Sequence, residues 1–462
     1  MHAATDVAEV VVRGMTLRIP ADPVYLADAE DCGTLLLAEV MEIQERDSVL
    51  VVGGGSGLLA LVAGRLAGRG RVVVVCGQVA SAAQVEAAIR LDGASNVEVV
   101  RSGDLAPLRG REFDVALVSV SLAPSGSALD RQVQQAALLL RPGGRCYLAG
   151  GKRQGIVSAA SRLEETFGNA QTLAYRKGHR VVLALREAEV RASWEGEPER
   201  AEEVELRGRT YRIGVREGVF AEGRLDEGTR LLIETLEVRA RDVVLDLGCG
   251  SGLVGLVAAD LAPQGTVYLV DSDVAAVELA GENLRRNGVA NAVALASDGF
   301  SALGDLTFDV IATNPPFHVG RLQTMAIALR FVEQSARHLR RGGRFYLVAN
   351  RFLKYEPAVE AAFGNVQTVA ETSRYKVLLA VGRGRHGSIP SPAPTRFALP
   401  APLRRLGRPR LAAGRVEDAA PLDARREHRP RPETQAVDPP GESQRSSTRT
   451  STTFGPCGPA SP

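Results

Sequence analysis

The chain repeats itself, and that repeat constrains its fold more than any other feature. The run Val49-Leu50-Val51-Val52-Gly53-Gly54-Gly55-Ser56-Gly57-Leu58 aligns with Val244-Leu245-Asp246-Leu247-Gly248-Cys249-Gly250-Ser251-Gly252-Leu253. Phe113-Asp114-Val115 aligns with Phe308-Asp309-Val310. The offset stays at 195 residues across this stretch (51 to 246, 113 to 308). Outside it, Val12–Ile19 resembles Leu206–Ile213, and Phe167-Gly168-Asn169 resembles Phe363-Gly364-Asn365. Chance similarity among apolar strands would not hold one register so long, so the chain carries two copies of one domain.

Each copy alternates short apolar runs with helical patterns. In the second copy the runs are Val243–Leu247, Thr266–Val270, Ala292–Ala296, Val310–Thr313 and Arg344–Val348, with helical segments such as Ala275–Asn287 between them. Continuous apolar strands alternating with helices predict an α/β fold with a mostly parallel sheet covered on both faces. The expected organisation is a domain over 1–186, a polar linker over 187–202, a second domain over 203–382 and a tail over 383–462. After Arg383 proline, arginine, serine and glycine dominate and lysine vanishes. Such text buries too little surface to offset its ordering entropy and reads as a disordered tail. A basic RNA-binding arm and a frame-shifted extension are the other readings its composition allows.

The formal charge of +2 neither requires nor excludes a nucleic-acid partner. The five cysteines form no C-x-x-C pair, which disfavours a zinc site or a disulfide framework; no metal is expected. The N-terminus lacks a basic segment followed by an apolar run, and no stretch reaches the roughly 18 apolar residues of a membrane span. A cytoplasmic protein with no membrane partner is expected.

The glycine run of the second copy lies between an apolar strand and a helix beginning near Leu253. Glycines there allow a tight turn and a close ligand, and the helix start offers free N–H groups. The spacing is G-x-G-x-G, not the G-x-G-x-x-G of dinucleotide binders. Asp271 ends the next strand, where a carboxylate can accept from both hydroxyls of a ribose. Asp298 follows the third strand, where it can accept from an adenine amine. The loop Asn314-Pro315-Pro316-Phe317-His318 follows the fourth, at the strand end where open α/β sheets bind ligands. Two prolines stiffen it. An asparagine oxygen and a backbone carbonyl can accept both hydrogens of an exocyclic base amine, aiming its lone pair at an electrophile held at about 3 Å. Phe317 offers a stacking face.

The series D-L-G-C-G-S-G, V-D-S-D and S-D-G resembles the class I S-adenosylmethionine methyltransferases, which implies two tandem Rossmann-like domains. The resemblance assigns Asp271 to the ribose, Asp298 to the adenine and Asp246 to the amino group. It gives Gly248, Gly250, Gly252 and Thr229 to the same cofactor. Asn314-Pro315-Pro316-Phe317 becomes the catalytic loop. N-P-P-[FY] serves adenine N6, guanine N2 and protein glutamine alike. Asn314–His318 with Gly320, Gly218-Val219-Phe220, Leu225-Asp226-Glu227-Gly228-Thr229 and Ala349-Asn350-Arg351-Phe352-Leu353 narrow it. Together they resemble the bacterial ribosomal RNA guanine-N2 methyltransferases, the small-subunit (16S) type more closely than the large-subunit (23S) type. This implies ribosomal RNA or a ribosomal subunit as partner. Phe220, His318, Arg351 and Lys354 are the candidate substrate contacts. Another amine substrate and a non-catalytic RNA-binding or assembly role are the competing readings.

The first copy fails the same residue-by-residue test. Val51 stands opposite Asp246, Cys76 opposite Asp271, and Ser119-Val120-Ser121-Leu122 opposite Asn314-Pro315-Pro316-Phe317. A thiol cannot bridge two hydroxyls as a carboxylate does. The first domain is expected to keep the fold without the chemistry; the family resemblance implies that it helps hold RNA and supports the catalytic domain.

Overall fold

The computed structural model describes residues 7–22, 25, 31–123, 125–187, 189–192, 194, 200–216, 218–219, 225–315 and 321–383, the side chains of 321–324 excepted. Apart from Arg383, the expected tail lies outside the described residues.

The first copy opens with a hairpin, β1 (Val7–Val12) and β2 (Met15–Pro20). There follow α1 (Cys32–Val40), β3 (Ser48–Val52), α2 (Leu58–Leu66), β4 (Arg71–Cys76), α3 (Val79–Asp92) and β5 (Val97–Arg101). The copy closes with β6 (Phe113–Ser119), α4 (Gly126–Leu139), β7 (Leu140–Gly151), α5 (Ile156–Phe167), β8 (Gln171–Arg176) and β9 (His179–Leu185). The second copy repeats this order. It runs β10 (Arg200–Leu206), β11 (Arg209–Val215), α6 (Glu227–Thr235), β12 (Val243–Leu247), α7 (Leu253–Leu261), β13 (Thr266–Asp271), α8 (Val274–Arg286) and β14 (Ala292–Ala296). It ends with β15 (Phe308–Thr313), α9 (Arg321–His338), β16 (Leu339–Asn350), α10 (Glu356–Phe363), β17 (Gln367–Glu371) and β18 (Tyr375–Val381).

Each copy builds a seven-stranded sheet, β5-β4-β3-β6-β7-β9-β8 in the first and β14-β13-β12-β15-β16-β18-β17 in the second. The first five strands of each order pair in parallel, and the last two pairings are antiparallel, so that only the sixth strand runs the other way. Helices bury both faces, so strand residues alternate between two cores. Val244 and Val310 face one, and Leu245, Leu247 and Ile311 face the other. That double burial is why the strands read as unbroken apolar runs.

Several repeated residues turn out to be structural. Asp309 Oδ2 accepts from the Val243 N–H at 2.8 Å and so pins β15 to the start of β12; Asp114 does the same for Ser48 in the first copy at 2.8 Å. A buried Arg344–Asp242 pair matches Arg145–Asp47 at 2.7 Å. Both hairpins turn through an Arg-Gly step in the left-handed region, Arg13-Gly14 and Arg207-Gly208, as tight hairpin turns of this twist require. In compensation, the Arg207 guanidinium donates to the Leu236 carbonyl at 2.7 Å and Arg13 to Met41 at 2.7 Å, closing the C-terminal ends of α6 and α1.

The copies meet through the same segment of each. Gln78 bridges Asp273, its own counterpart 195 residues on. Val79 N donates to Ser272 O at 2.9 Å, and Val274 N donates to Gly77 O at 2.9 Å. The contact is therefore a local two-fold, with each partner giving what it receives. Trp194, in the segment expected to be a polar linker, packs on the first domain's core and lies under the Arg109 guanidinium.

Candidate active site at the sheet edge of the second copy

The C-terminal ends of β12, β13 and β15 gather the predicted residues. Asp246, at the end of β12, is 2% exposed, and its Oδ2 accepts from the Gly255 N–H at 2.8 Å. Burial pushes its carboxyl up to about 7; the Gly255 N–H opposes this and the Asp271 charge adds to it. Asp271 accepts from Gly250 N and from Asp273 N, both at 2.9 Å. Burial raises its carboxyl too, against the pull of those N–H groups. Among the described residues neither carboxylate has a cation within ion-pair distance. Carboxylates drawn out of water in this way, Asp246 buried and Asp271 half-buried, are costly unless a ligand supplies positive charge or donors. A molecule bearing an ammonium and a ribose diol does so, because the carboxylate oxygens are acceptors only.

The glycines divide the labour. Gly248, Gly250 and Gly252 all sit at positive φ. A Cβ on Gly248 would stand 3.5 Å from the Phe331 ring, whereas one on Gly252 would fall 2.8 Å from Ala280 Cβ. Gly252 therefore has a packing reason for being glycine, because it lets α8 approach the loop. Asp298 receives a two-pronged contact from the Arg330 guanidinium of α9, at 2.6 and 3.2 Å, a pairing with no local sequence signal.

Asn314 sits where β15 ends. Its Nδ2 donates to Asp226 Oδ2 at 3.0 Å and to Thr229 Oγ1 at 2.9 Å. The opposite edge of the amide, Oδ1, is buried and has no hydrogen-bond partner among the described residues. Thr229, assigned to the cofactor from the sequence, is placed by the structure against Asn314 and Asp226. Pro315 is buried beside it, while Phe220, Pro316, Phe317 and His318 lie outside the described residues. Arg351 and Lys354 follow β16, on the same sheet edge as Asn314. Arg351 is held by Glu371 at 2.5 Å, and Lys354 is exposed. Phe352 between them is 67% exposed and was not among the candidate contacts. Asp226 was also missed as a site residue. It belongs to a quoted motif, but nothing local in sequence shows that it reaches a side chain 88 residues away.

At the corresponding edge of the first copy a cavity of about 390 Å³ remains beside Gly53-Gly54-Gly55, partly walled by Arg216 and Asp273 of the second copy. Cys76 lies beneath it, fully buried, with its thiol pushed up to about 12 by burial. Ser119 bonds Ser121 at 2.9 Å, and no amide occupies that place.

This fold and strand-end site are those of a methyltransferase. The chain belongs to the methyltransferase small domain family, whose model matches residues 17–183 and again 210–379. Within it, the chain groups with proteins named ribosomal RNA small subunit methyltransferase C. That of Pseudomonas entomophila (strain L48) is 35% identical over 270 residues, covering 58% of this chain and 79% of the relative. That of Pseudomonas putida (strain W619) is 33% identical over 298 residues, covering 62% and 89%. Among solved structures, the T. thermophilus 16S rRNA N2 G1207 methyltransferase in complex with AdoMet and guanosine matches with a TM-score of 0.65 at 30% identity. The match spans 82% of this chain and 98% of that one.

Proposed function

We propose that this protein transfers a methyl group from S-adenosylmethionine to the exocyclic N2 amine of a guanine in small-subunit ribosomal RNA. The observation that carries the reading is the Asn314 amide. Both of its hydrogens are taken by Asp226 and Thr229, which leaves a buried acceptor without a donor among the described residues. An orphaned buried acceptor costs about 1–3 kcal/mol. A substrate amine recovers that cost, and its own hydrogens are then held while the lone pair turns toward the donor.

The cofactor, when bound, supplies an activated methyl on a sulfonium. On the protein side, Asp246 would face its ammonium, Asp271 its ribose diol, and the Gly248–Gly250 turn would admit its methionine portion. Asp298, shared with Arg330, would meet the adenine. The stiff strand-end loop fixes the amine acceptor, so positioning supplies much of the rate. The proton leaves the alkylated amine for solvent; no side chain is required as base. A guanine N2 is engaged in a Watson–Crick pair, so the base must be unpaired or flipped out to reach Asn314. Exposed Phe352, Arg351 and Lys354 form an edge suited to base stacking and phosphate contact. The first copy, with Cys76 and Ser119 in the critical places, is read as a non-catalytic domain that supports the second. A ribosomal subunit is the proposed partner and the cytoplasm the proposed location; no helix among the described residues is long and apolar enough to cross a membrane.

The test is transfer of tritiated methyl to small-subunit rRNA and to assembled subunits, followed by nucleoside analysis. Label in N2-methylguanosine that disappears with Asn314→Ala supports the reading. Label in N6-methyladenosine or in protein overturns the substrate and keeps the fold.

A further inference from the structure

We infer that Asp226 is a positioning residue for methyl transfer: by capturing the Asn314 amide hydrogens, it locks the amide with its oxygen toward the substrate. This rests on the reading of Asn314 as the amine acceptor. An asparagine amide has two nearly isosteric orientations, and its neighbours decide between them. Here both neighbours accept. Asp226 Oδ2 takes one hydrogen at 3.0 Å. Thr229 Oγ1 takes the other at 2.9 Å and is itself committed as donor to Asp226 Oδ2 at 2.5 Å. Turning the amide over would set Oδ1 against a carboxylate and expose the NH2 to the incoming base amine, where two donors would meet.

Asp226 also caps α6, accepting from Gly228 N at 2.9 Å and Thr229 N at 2.8 Å. The duplicated domain separates the two duties. Asp31 caps α1 in the same way, accepting from Thr34 N at 3.0 Å, although Ser119 stands in the place of Asn314. There the Thr34 hydroxyl lies at a loose 3.4 Å from the carboxylate, against 2.5 Å in the second copy. Capping survives without an asparagine to hold, and the tightened carboxylate–hydroxyl pair accompanies the amide.

The experiment uses the full chain with small-subunit rRNA. Asp226→Asn keeps a residue type favoured at caps but leaves one oxygen where there were two. It either keeps the bond from Thr229 N as a neutral, weaker acceptor for the Asn314 amide, or turns its NH2 to Asn314 Oδ1 and favours the wrong orientation while capping through Gly228 N alone. We expect kcat to fall at least tenfold, with KM for RNA and the dissociation constant for S-adenosylmethionine within twofold of wild type. Thr229→Val, which removes one acceptor only, should give a smaller loss of kcat. Asp226→Asn combined with Asn314→Ala should be no slower than Asn314→Ala alone, because the two act as a unit. The Asn314 side-chain ¹⁵NH2 resonance, assigned by its loss in Asn314→Ala, should shift in Asp226→Asn; a purely capping role would leave it in place. A folded Asp226→Asn at wild-type kcat, or losses that multiply in the double variant, overturns the inference while an inactive Asn314→Ala keeps the proposed function standing. An active Asn314→Ala removes both. Should Asp226→Asn fail to fold, Thr229→Val decides: wild-type kcat and an unmoved resonance overturn the inference.

Discussion

Replacing Asp246 by asparagine should make the protein more stable at neutral pH and worse at holding its cofactor. Asp246 is buried at the end of β12, and its carboxyl rises from 3.8 to about 7 on folding. Between those values the unfolded carboxyl is ionised while the folded one keeps its proton. Stability is therefore lost as pH rises through that window, and the loss is complete above about pH 7. The gap corresponds to about 4 kcal/mol at pH 8 and less than about 2 kcal/mol at pH 5. Asparagine carries no charge at either pH, and its oxygen can keep the bond from Gly255 N. Urea unfolding should therefore show Asp246→Asn more stable than wild type at pH 8, with the advantage shrinking by roughly 2–3 kcal/mol at pH 5. Calorimetry should show at least a tenfold weaker affinity for S-adenosylmethionine, since the charge facing the ammonium is gone. Wild-type affinity should itself decline as pH falls below about 7, because the carboxyl must give up its proton to serve. An equal difference between the two proteins at pH 5 and pH 8 would refute the reasoning, and so would unchanged affinity.

Asp271→Ala should weaken S-adenosylmethionine binding by about 3 kcal/mol or more, since two charge-assisted hydrogen bonds vanish, whereas Cys76→Ala should leave the calorimetric titration unchanged. Truncation after residue 383 should leave the melting temperature and methyl transfer intact, because both sheets end before it; loss of RNA binding with cofactor binding kept would make the tail a functional arm. An RNA with the target guanine locked in a stable duplex should be methylated far more slowly than the same guanine in a loop.

The repeat made the two sheets legible because strands buried on both faces leave unbroken apolar runs, and the structure closes its parallel strands on those runs. The opening hairpins and the antiparallel β17–β18 edge were less visible. β1 alternates in exposure and β17 is largely exposed, so neither leaves the unbroken apolar run that marks the central strands. The glycines and carboxylates of the site announced themselves by type and order. Their partners did not. Arg330 on Asp298 and Asp226 on Asn314 are pairings across 32 and 88 residues that only the folded sheet brings together. Glycine was also ambiguous in sequence: Gly248 and Gly252 look alike, yet the second is required by the approach of Ala280. The symmetric contact at Gln78 and Asp273 could not be read at all, since it depends on how two finished domains meet.

The central claim is that the second copy methylates guanine N2 in small-subunit rRNA through Asn314. Mass mapping of rRNA nucleosides from cells lacking this gene tests it most directly. The account predicts the loss of one N2-methylguanosine from small-subunit rRNA, restored by the wild-type gene and not by Asn314→Ala. An unchanged small-subunit rRNA, or restoration by Asn314→Ala, would contradict it.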